Sequence, residues 1–267
     1  MQNASAAPAL RPIGFPADRS DGPFRWSGLP FDANRIRMLS LSAPYSLQEP
    51  DDLHDDLPGV DTDGGELYRA TLKEWWGVES SADCHDTLSR LSEARMSGDY
   101  DVIAPLAERA LEFPAGHEIE NAHLDFLADL ERANGLRPER FTLRYRQWTA
   151  ALRDPGFRRH LPEFLPLEDF GWDLMRTGSF GRASVQSGYL TAAELGAYLH
   201  TALGNAQRLA GHWRTFASSF LVGRAFANLD SAFGDAREQA AHVASRVRRC
   251  LADPDSPWVR VPLLPEE

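Results

Sequence analysis

The chain has 267 residues, of which 43% are hydrophobic and 25% are charged, and its formal net charge at pH 7 is −11. This composition is typical of a globular protein, and the length is sufficient to bury a substantial core. The negative charge disfavours binding to nucleic acid or to an anionic membrane. Two cysteines, Cys84 and Cys250, are too few for a disulfide framework and too isolated for a thiolate zinc site.

The first 66 residues contain eight of the 18 prolines and six of the 20 glycines, with 11 acidic and 5 basic residues. Because proline fixes φ and removes a backbone donor, we expect no long regular element here. Only RIRMLSL (35–41) could form a short strand. The sequence therefore predicts an irregular, acidic N-terminal arm over residues 1–66. Four aromatic residues indicate that the arm packs on the body of the protein: Phe24, Trp26, Phe31 and Tyr45.

No secretory signal is visible in the first twenty residues, which lack a basic start followed by an apolar block. No apolar run approaches the roughly 20 residues that cross a bilayer. We therefore expect a cytoplasmic protein with no membrane partner.

From Glu66 onward, hydrophobic residues recur at spacings of three and four, which predicts amphipathic helices. One predicted helix ends at Gly77 and another begins after Ser80. A third begins near Pro105, because proline is tolerated in a first helical turn. Two more cover residues 121–135 and 139–153.

In the C-terminal half, Thr191 and Glu194 have the spacing of a capping box, and the helix that follows them ends at Gly211. Further helices run from Trp213 towards Leu229 and over residues 236–251. The predicted fold class is all-α. It comprises a compact multi-helix domain over residues 67–252, the Pro/Gly-rich and mostly non-helical arm, and a C-terminal tail over residues 253–267.

Polar and aromatic residues are concentrated in GWDLMRTGSFGRASVQSGYL (171–190). As a helix, this stretch places Asp173, Arg176 and Phe180 on one face. Its two internal glycines, at positions 178 and 181, each weaken a helix by about 1 kcal/mol relative to alanine. We therefore expect a close helix approach or a bend at these glycines.

The pattern W-D-x-x-R, followed by G-Y-L, a capped helix and W-x-x-F-x-x-x-F-x-x-G-R, resembles the bacterial domain-of-unknown-function family 1266. The matching residues are Trp172, Asp173, Arg176, Gly188, Tyr189, Glu194, Trp213, Phe216, Phe220, Gly223 and Arg224. The resemblance covers about residues 70–232, and His212 stands where that family usually has serine. It implies a helical intracellular domain, and the family has no established reaction to carry over.

Two interpretations of this motif remain open. In the first, Asp173 pairs with Arg176 or Arg224 in a partly buried network that fixes helix packing. In the second, the arginines converge on an anionic ligand, and Asp173 orients one guanidinium group or acts as a base. The residues of the candidate network are Asp173, Arg176, Arg182, Tyr189 and Arg224, with Trp172, Trp213, Phe216 and Phe220 packed around them.

The leading functional hypothesis is a non-enzymatic intracellular protein-interaction domain whose acidic N-terminal half docks a basic protein such as a toxin. The alternative is an enzyme or sensor that binds an anionic small molecule in a cleft lined by the motif's aspartate and arginines. An open cleft with converging arginines favours the alternative, and a sealed ion pair under Trp172 and Trp213 favours the first. The spacing of His117 and His123 fits no closed zinc site, so we expect neither a metal nor a cofactor.

Overall fold

The computed structural model describes residues 24–26, 32–47, 65–229 and 235–265. These residues form helices and contain no strand, which confirms the all-α fold class. The helices are α1 (Ala33–Ser40), α2 (Ala43–Ser46), α3 (Gly65–Trp76), α4 (Ser81–Ser92), α5 (Asp99–Leu111), α6 (Glu118–Ala133), α7 (Arg140–Arg153), α8 (Pro155–Arg158), α9 (Phe170–Gln186), α10 (Ala192–Ala210), α11 (Trp213–Ala227), α12 (Ala236–Ala252) and α13 (Pro257–Arg260). In this part of the chain, none of them is both long enough and apolar enough to span a membrane.

Local capping explains where several helices begin and end. The Ser80 hydroxyl accepts a hydrogen bond from the backbone N–H of Asp83 at 3.2 Å and starts α4. At the start of α10, Thr191 and Glu194 form the predicted capping box, in which each side chain accepts from the other residue's backbone N–H. Gly211 ends α10 with φ of 71°, a conformation that costs glycine little.

Helix α9 lies at the centre of the fold and packs against α3, α4, α10 and α11. Its approach to α11 is close because each helix presents a glycine to the other. A Cβ atom at Gly171 would lie 2.5 Å from the backbone nitrogen of Phe220, and one at Gly223 would lie 2.6 Å from the Cβ atom of Trp172. These contacts fix the spacing between the two helices that carry the W-D-x-x-R and G-R motifs.

The glycines within α9 also allow close packing. A Cβ atom at Gly178 would lie 2.6 Å from the Ser42 hydroxyl, and one at Gly181 would lie 2.2 Å from a methyl group of Leu195 on α10. The close helix approach expected at positions 178 and 181 is therefore present. Residues of α3, α4, α9 and α10 form a small hydrophobic cluster here, beside the larger core that includes α5, α7, α11 and α12.

The expected short strand over residues 35–41 is wrong, because α1 occupies this stretch. The Asp32 side chain accepts from the backbone N–H of Arg35 at 2.9 Å and caps the helix. Helical geometry brings Leu39 into the smaller cluster, and Leu41, just after the helix, lies in the larger core. A helix was also expected to begin near Pro105, whereas α5 begins at Asp99 and contains that proline on its exposed side.

The described residues of the arm pack against the C-terminal end of the chain. The Trp258 indole N–H donates to the Ser40 carbonyl oxygen at 2.7 Å, and the Arg37 Nε donates to the Pro262 carbonyl oxygen at 2.7 Å. Trp258 also stacks on Trp213, with the ring planes 9° apart. Trp258 and Leu263 thus belong to the main core, although the sequence analysis assigned both to the tail.

Candidate functional site

Asp173 is completely buried, and its carboxylate is enclosed by hydrogen-bond donors. One oxygen, Oδ2, accepts from the backbone N–H groups of Met96 and Ser97 at 2.7 and 2.9 Å. The other, Oδ1, accepts from the Ser97 hydroxyl at 2.6 Å and from Arg176 Nη2. Asp173 therefore ties the segment between α4 and α5 to the central helix, and no face of its carboxylate reaches solvent.

Guanidinium groups and indole rings alternate beside this carboxylate. The Cζ atom of Arg176 lies 4.5 Å from the ring centre of Trp172 and 5.4 Å from that of Trp76. The Cζ atom of Arg224, on α11, lies 4.9 Å from the Trp172 ring centre. Two cationic side chains from different helices thus share one indole, which attracts both through its quadrupole.

These residues line a solvent-open cleft of about 380 Å³, which we call the aromatic cleft. Its walls are mainly aromatic and apolar, and Arg176 and Arg224 supply its positive charge. The lining residues are Tyr45, Trp75, Trp76, Met96, Trp172, Arg176, Ser179, Arg224, Ala227 and Asn228. The volume lies within the range of pockets that bind small organic ligands, roughly 300–1,000 Å³.

Burial disfavours the charged form of two arginines in and near the cleft, Arg224 and Arg246. Burial lowers the pKa of Arg224, and the neighbouring charge of Arg176 lowers it further, whereas Tyr45 acts in the opposite direction. Burial likewise lowers the pKa of Arg246 to about 10. The pKa of the Tyr45 hydroxyl is raised by burial, against the effect of the three arginines.

Asn228 is one of the lining residues of the cleft and is 3% exposed. Neither its side-chain nitrogen nor its side-chain oxygen has a hydrogen-bond partner in the part of the chain that the structure describes. An amide left in this state typically costs about 1–3 kcal/mol. The side chain of Asn228 thus has an unused donor and an unused acceptor, both of them buried.

A family model described as "Protein of unknown function (DUF1266)" matches residues 71–263, which is more than half of the chain. The chain belongs to the DUF1266 family. No curated protein and no solved structure matches it significantly. The match extends beyond the stretch that carries the sequence resemblance and includes Trp258 and Leu263.

In this DUF1266 protein, the motif residues divide between the cleft and other positions. Trp172, Arg176 and Arg224 line the cleft, and Asp173 lies behind it. Phe220 packs beside Trp172, with ring centres 6.1 Å apart. Arg176, and not Arg224, is the ion-pair partner of Asp173.

The remaining predicted residues lie away from the cleft. Arg182 is buried on α9 and is not among the lining residues. The Tyr189 hydroxyl donates to the Glu79 carbonyl oxygen at 3.1 Å and so joins the α9–α10 turn to the α3–α4 turn. Trp213 and Phe216 pack around Trp258 instead. The Trp213 indole N–H donates to the Val261 carbonyl oxygen at 2.8 Å, so Trp213 packs on the C-terminal end of the chain.

Sequence reasoning missed Ser97, Tyr45 and Asn228. Ser97 lies in the loop before α5, Tyr45 lies in a four-residue helix, and Asn228 is the C-cap of α11. Asparagine is common at helix ends, so its type and position gave no signal. The adjacent Trp75 and Trp76 lie at the end of the helix that was predicted to stop at Gly77, and both line the cleft.

Within the described ranges, no group of three or more His, Cys, Asp or Glu side chains is arranged to hold a metal ion. His117 caps α6 by accepting from the Ile119 N–H, and His123 lies 2.9 Å from the Tyr145 hydroxyl. Both histidines thus have local structural partners.

Proposed function

We propose that this protein is a binding domain, or sensor, for a small anionic molecule, which it holds in the aromatic cleft. The observation that carries the proposal is the placement of two guanidinium groups, from α9 and α11, over the Trp172 indole at the wall of an open cleft. The planar donors of arginine match the geometry of a carboxylate or a phosphate. Apolar walls strengthen such contacts because they exclude water.

The lining supports binding more than it supports catalysis. Of the described residues that line the cleft, none carries a carboxylate, imidazole, thiol or amine, and Tyr45 and Ser179 supply its hydroxyl groups. Asp173, the motif's carboxylate, is fully buried and accepts four hydrogen bonds. Because these four donors occupy its carboxylate oxygens, Asp173 orients Arg176 and is not itself a ligand contact.

Charge selectivity tests the proposal directly. Isothermal titration calorimetry would compare phenyl phosphate and benzoate with benzylamine, which presents a similar ring with a positive charge. We expect the two anions to bind and the amine not to bind. Equal binding of the amine and the anions would contradict the proposal.

Two matched arginine variants test whether the anion binds in the cleft. Arg224→Gln removes a guanidinium group from an indole inside the cleft, whereas Arg260→Gln removes one that lies 4.3 Å from the Trp26 ring centre elsewhere. We expect Arg224→Gln to weaken phenyl phosphate binding about tenfold or more, because hydrogen bonds to charged groups contribute about 1.5–3 kcal/mol. Arg260→Gln should bind as the unmodified protein does. Thermal unfolding of both variants checks that each is folded.

A second function, docking of a basic protein, is supported by one surface. Between α8 and α9, Phe164 is 84% exposed and Leu167 is 66% exposed, and the exposed side chains of Glu163 and Glu168 flank them. Exposed apolar residues ringed by charge are typical of interaction surfaces. Replacing both Phe164 and Leu167 with serine should abolish binding of a basic partner and leave anion binding in the cleft intact.

A further inference from the structure

The buried amide of Asn228 restricts what the cleft can bind beyond a negative charge. Its nitrogen donates and its oxygen accepts, and the two atoms lie side by side on one planar group. A simple carboxylate such as acetate cannot satisfy both, because it accepts hydrogen bonds and has no donor. A ligand that presents an acceptor next to a donor satisfies both atoms at once.

The walls of the cleft add a second restriction. Four of the ten described lining residues are aromatic, namely Tyr45, Trp75, Trp76 and Trp172, and Trp75 is 39% exposed. Aromatic side chains bind planar rings by stacking, and base–aromatic stacking contributes about 1–3 kcal/mol per base. The lining therefore favours a flat, aromatic ligand over a flexible aliphatic one.

The edges of nucleobases carry adjacent donors and acceptors, and asparagine reads such an edge through two parallel hydrogen bonds. A phosphate group at Arg176 and Arg224 would satisfy the cationic part of the same cleft. A cleft of about 380 Å³ suits one base and one phosphate group better than a longer polymer.

We infer that the ligand is a nucleoside monophosphate. This inference rests on the proposed anion-binding function. The phosphate is held by Arg176 and Arg224, the base lies against the aromatic wall, and the Asn228 amide pairs with the edge of the base. Asn228 is then the residue that distinguishes nucleotides from other anions.

Calorimetric titration with four probes tests the ligand class: adenosine, guanosine, cytidine and uridine 5′-monophosphate. Inorganic phosphate and phenyl phosphate serve as comparisons that lack a base edge. We expect at least one nucleotide to bind ten times more tightly than phenyl phosphate. If phenyl phosphate binds and no nucleotide binds more tightly, this inference is wrong while the anion-binding function stands. If no anion binds at all, the proposed function itself fails.

Two asparagine variants test the role of the amide. Asn228→Leu removes both polar atoms of the amide and keeps a side chain of similar size. The control, Asn134→Leu, makes the same change at the C-cap of α6. There the asparagine side chain is exposed and donates to the Leu130 carbonyl oxygen. We expect Asn228→Leu to weaken binding of the preferred nucleotide tenfold or more. The variant should then bind that nucleotide no more tightly than phenyl phosphate. Asn134→Leu should still bind the nucleotide more tightly than phenyl phosphate. If folded Asn228→Leu keeps the full preference for the nucleotide over phenyl phosphate, Asn228 does not recognise the base.

Discussion

The carboxylate of Asp173 and the hydroxyl of Ser97 are joined by a hydrogen bond of 2.6 Å that connects the first turn of α9 to the loop before α5. The same hydroxyl accepts from Arg176 Nη2 at 3.0 Å, so one serine bridges both partners of the buried ion pair. This bridge holds Arg176 in place beside the aromatic cleft. The motif's acid thus pairs with an arginine that lines the cleft.

The first prediction concerns the stability that this carboxylate provides. Asp173→Asn places an amide where four donors converge, so at least one donor must face another donor. We expect a loss of about 3–5 kcal/mol in the free energy of unfolding, measured by urea denaturation. Asp86→Asn, at a carboxylate that is 73% exposed and 3.8 Å from Arg90, should change it by less than about 1 kcal/mol. Equal effects would show that the buried network does not support the fold.

The second prediction compares two glycine-to-alanine changes of opposite expected sign. In Gly223→Ala, the new Cβ atom would lie 2.6 Å from the Trp172 Cβ and 2.8 Å from the Asp169 Cβ, so α9 and α11 must separate. We expect a loss of about 1–3 kcal/mol. Gly204, exposed within α10, has no such neighbour within 4 Å. Gly204→Ala should stabilise the protein by about 0.5–1 kcal/mol, because it restricts the unfolded chain. Both values can be measured by thermal or urea unfolding.

The helical body could be predicted from the sequence because its signals are local. Capping residues such as Thr191 and Glu194 act within one turn, and apolar residues at spacings of three and four define the buried face. The wrong predictions concern segments whose secondary structure depends on contacts with distant parts of the chain. Residues 35–41 form a helix that packs on distant parts of the chain, and Pro105 lies inside α5, where its exposed position leaves the Asp101 carbonyl accessible to water.

The candidate site was only partly predictable for the same reason. The ion pair of Asp173 and Arg176 is visible as a spacing of three residues in one helix. The contact of Arg224 with Trp172 needs the close α9–α11 approach, and no spacing rule gives it. Asn228 and Tyr45 reach the cleft only through the folded arrangement of the helices.

The third prediction tests whether the C-terminal end belongs to the core. Trp258 is 5% exposed, stacks on Trp213 and donates to Ser40, so Trp258→Ala should lower the free energy of unfolding by about 3–5 kcal/mol. The neighbouring Val259 is 46% exposed, and Val259→Ala should change it by no more than about 0.5 kcal/mol. Urea denaturation followed by circular dichroism measures both. A small effect at Trp258 would contradict the packing of the chain's two ends against one another.

The fourth prediction concerns the pH dependence of stability. Burial raises the pKa of Asp169 to about 7, and the neighbouring carboxylates of Asp101 and Asp173 contribute in the same direction, against Arg176. Burial similarly raises the pKa of Asp101 to about 6. The folded protein therefore binds protons that the unfolded chain has already released. Stability from these groups is present at low pH and is lost as the pH rises through about 6 to 7.

Asp169→Asn isolates this contribution, because the amide resembles a carboxyl group that cannot ionise. Relative to the unmodified protein, the variant should gain about 2–4 kcal/mol between about pH 5 and pH 8. The lowered pKa values of His123 and His160 make stability rise over the same range, but they act equally in both proteins and cancel in the difference. Asp129→Asn, at a carboxylate that is 70% exposed, is the control and should leave the pH profile unchanged. If Asp169→Asn parallels the unmodified protein across this range, the Asp169 carboxyl group does not titrate there.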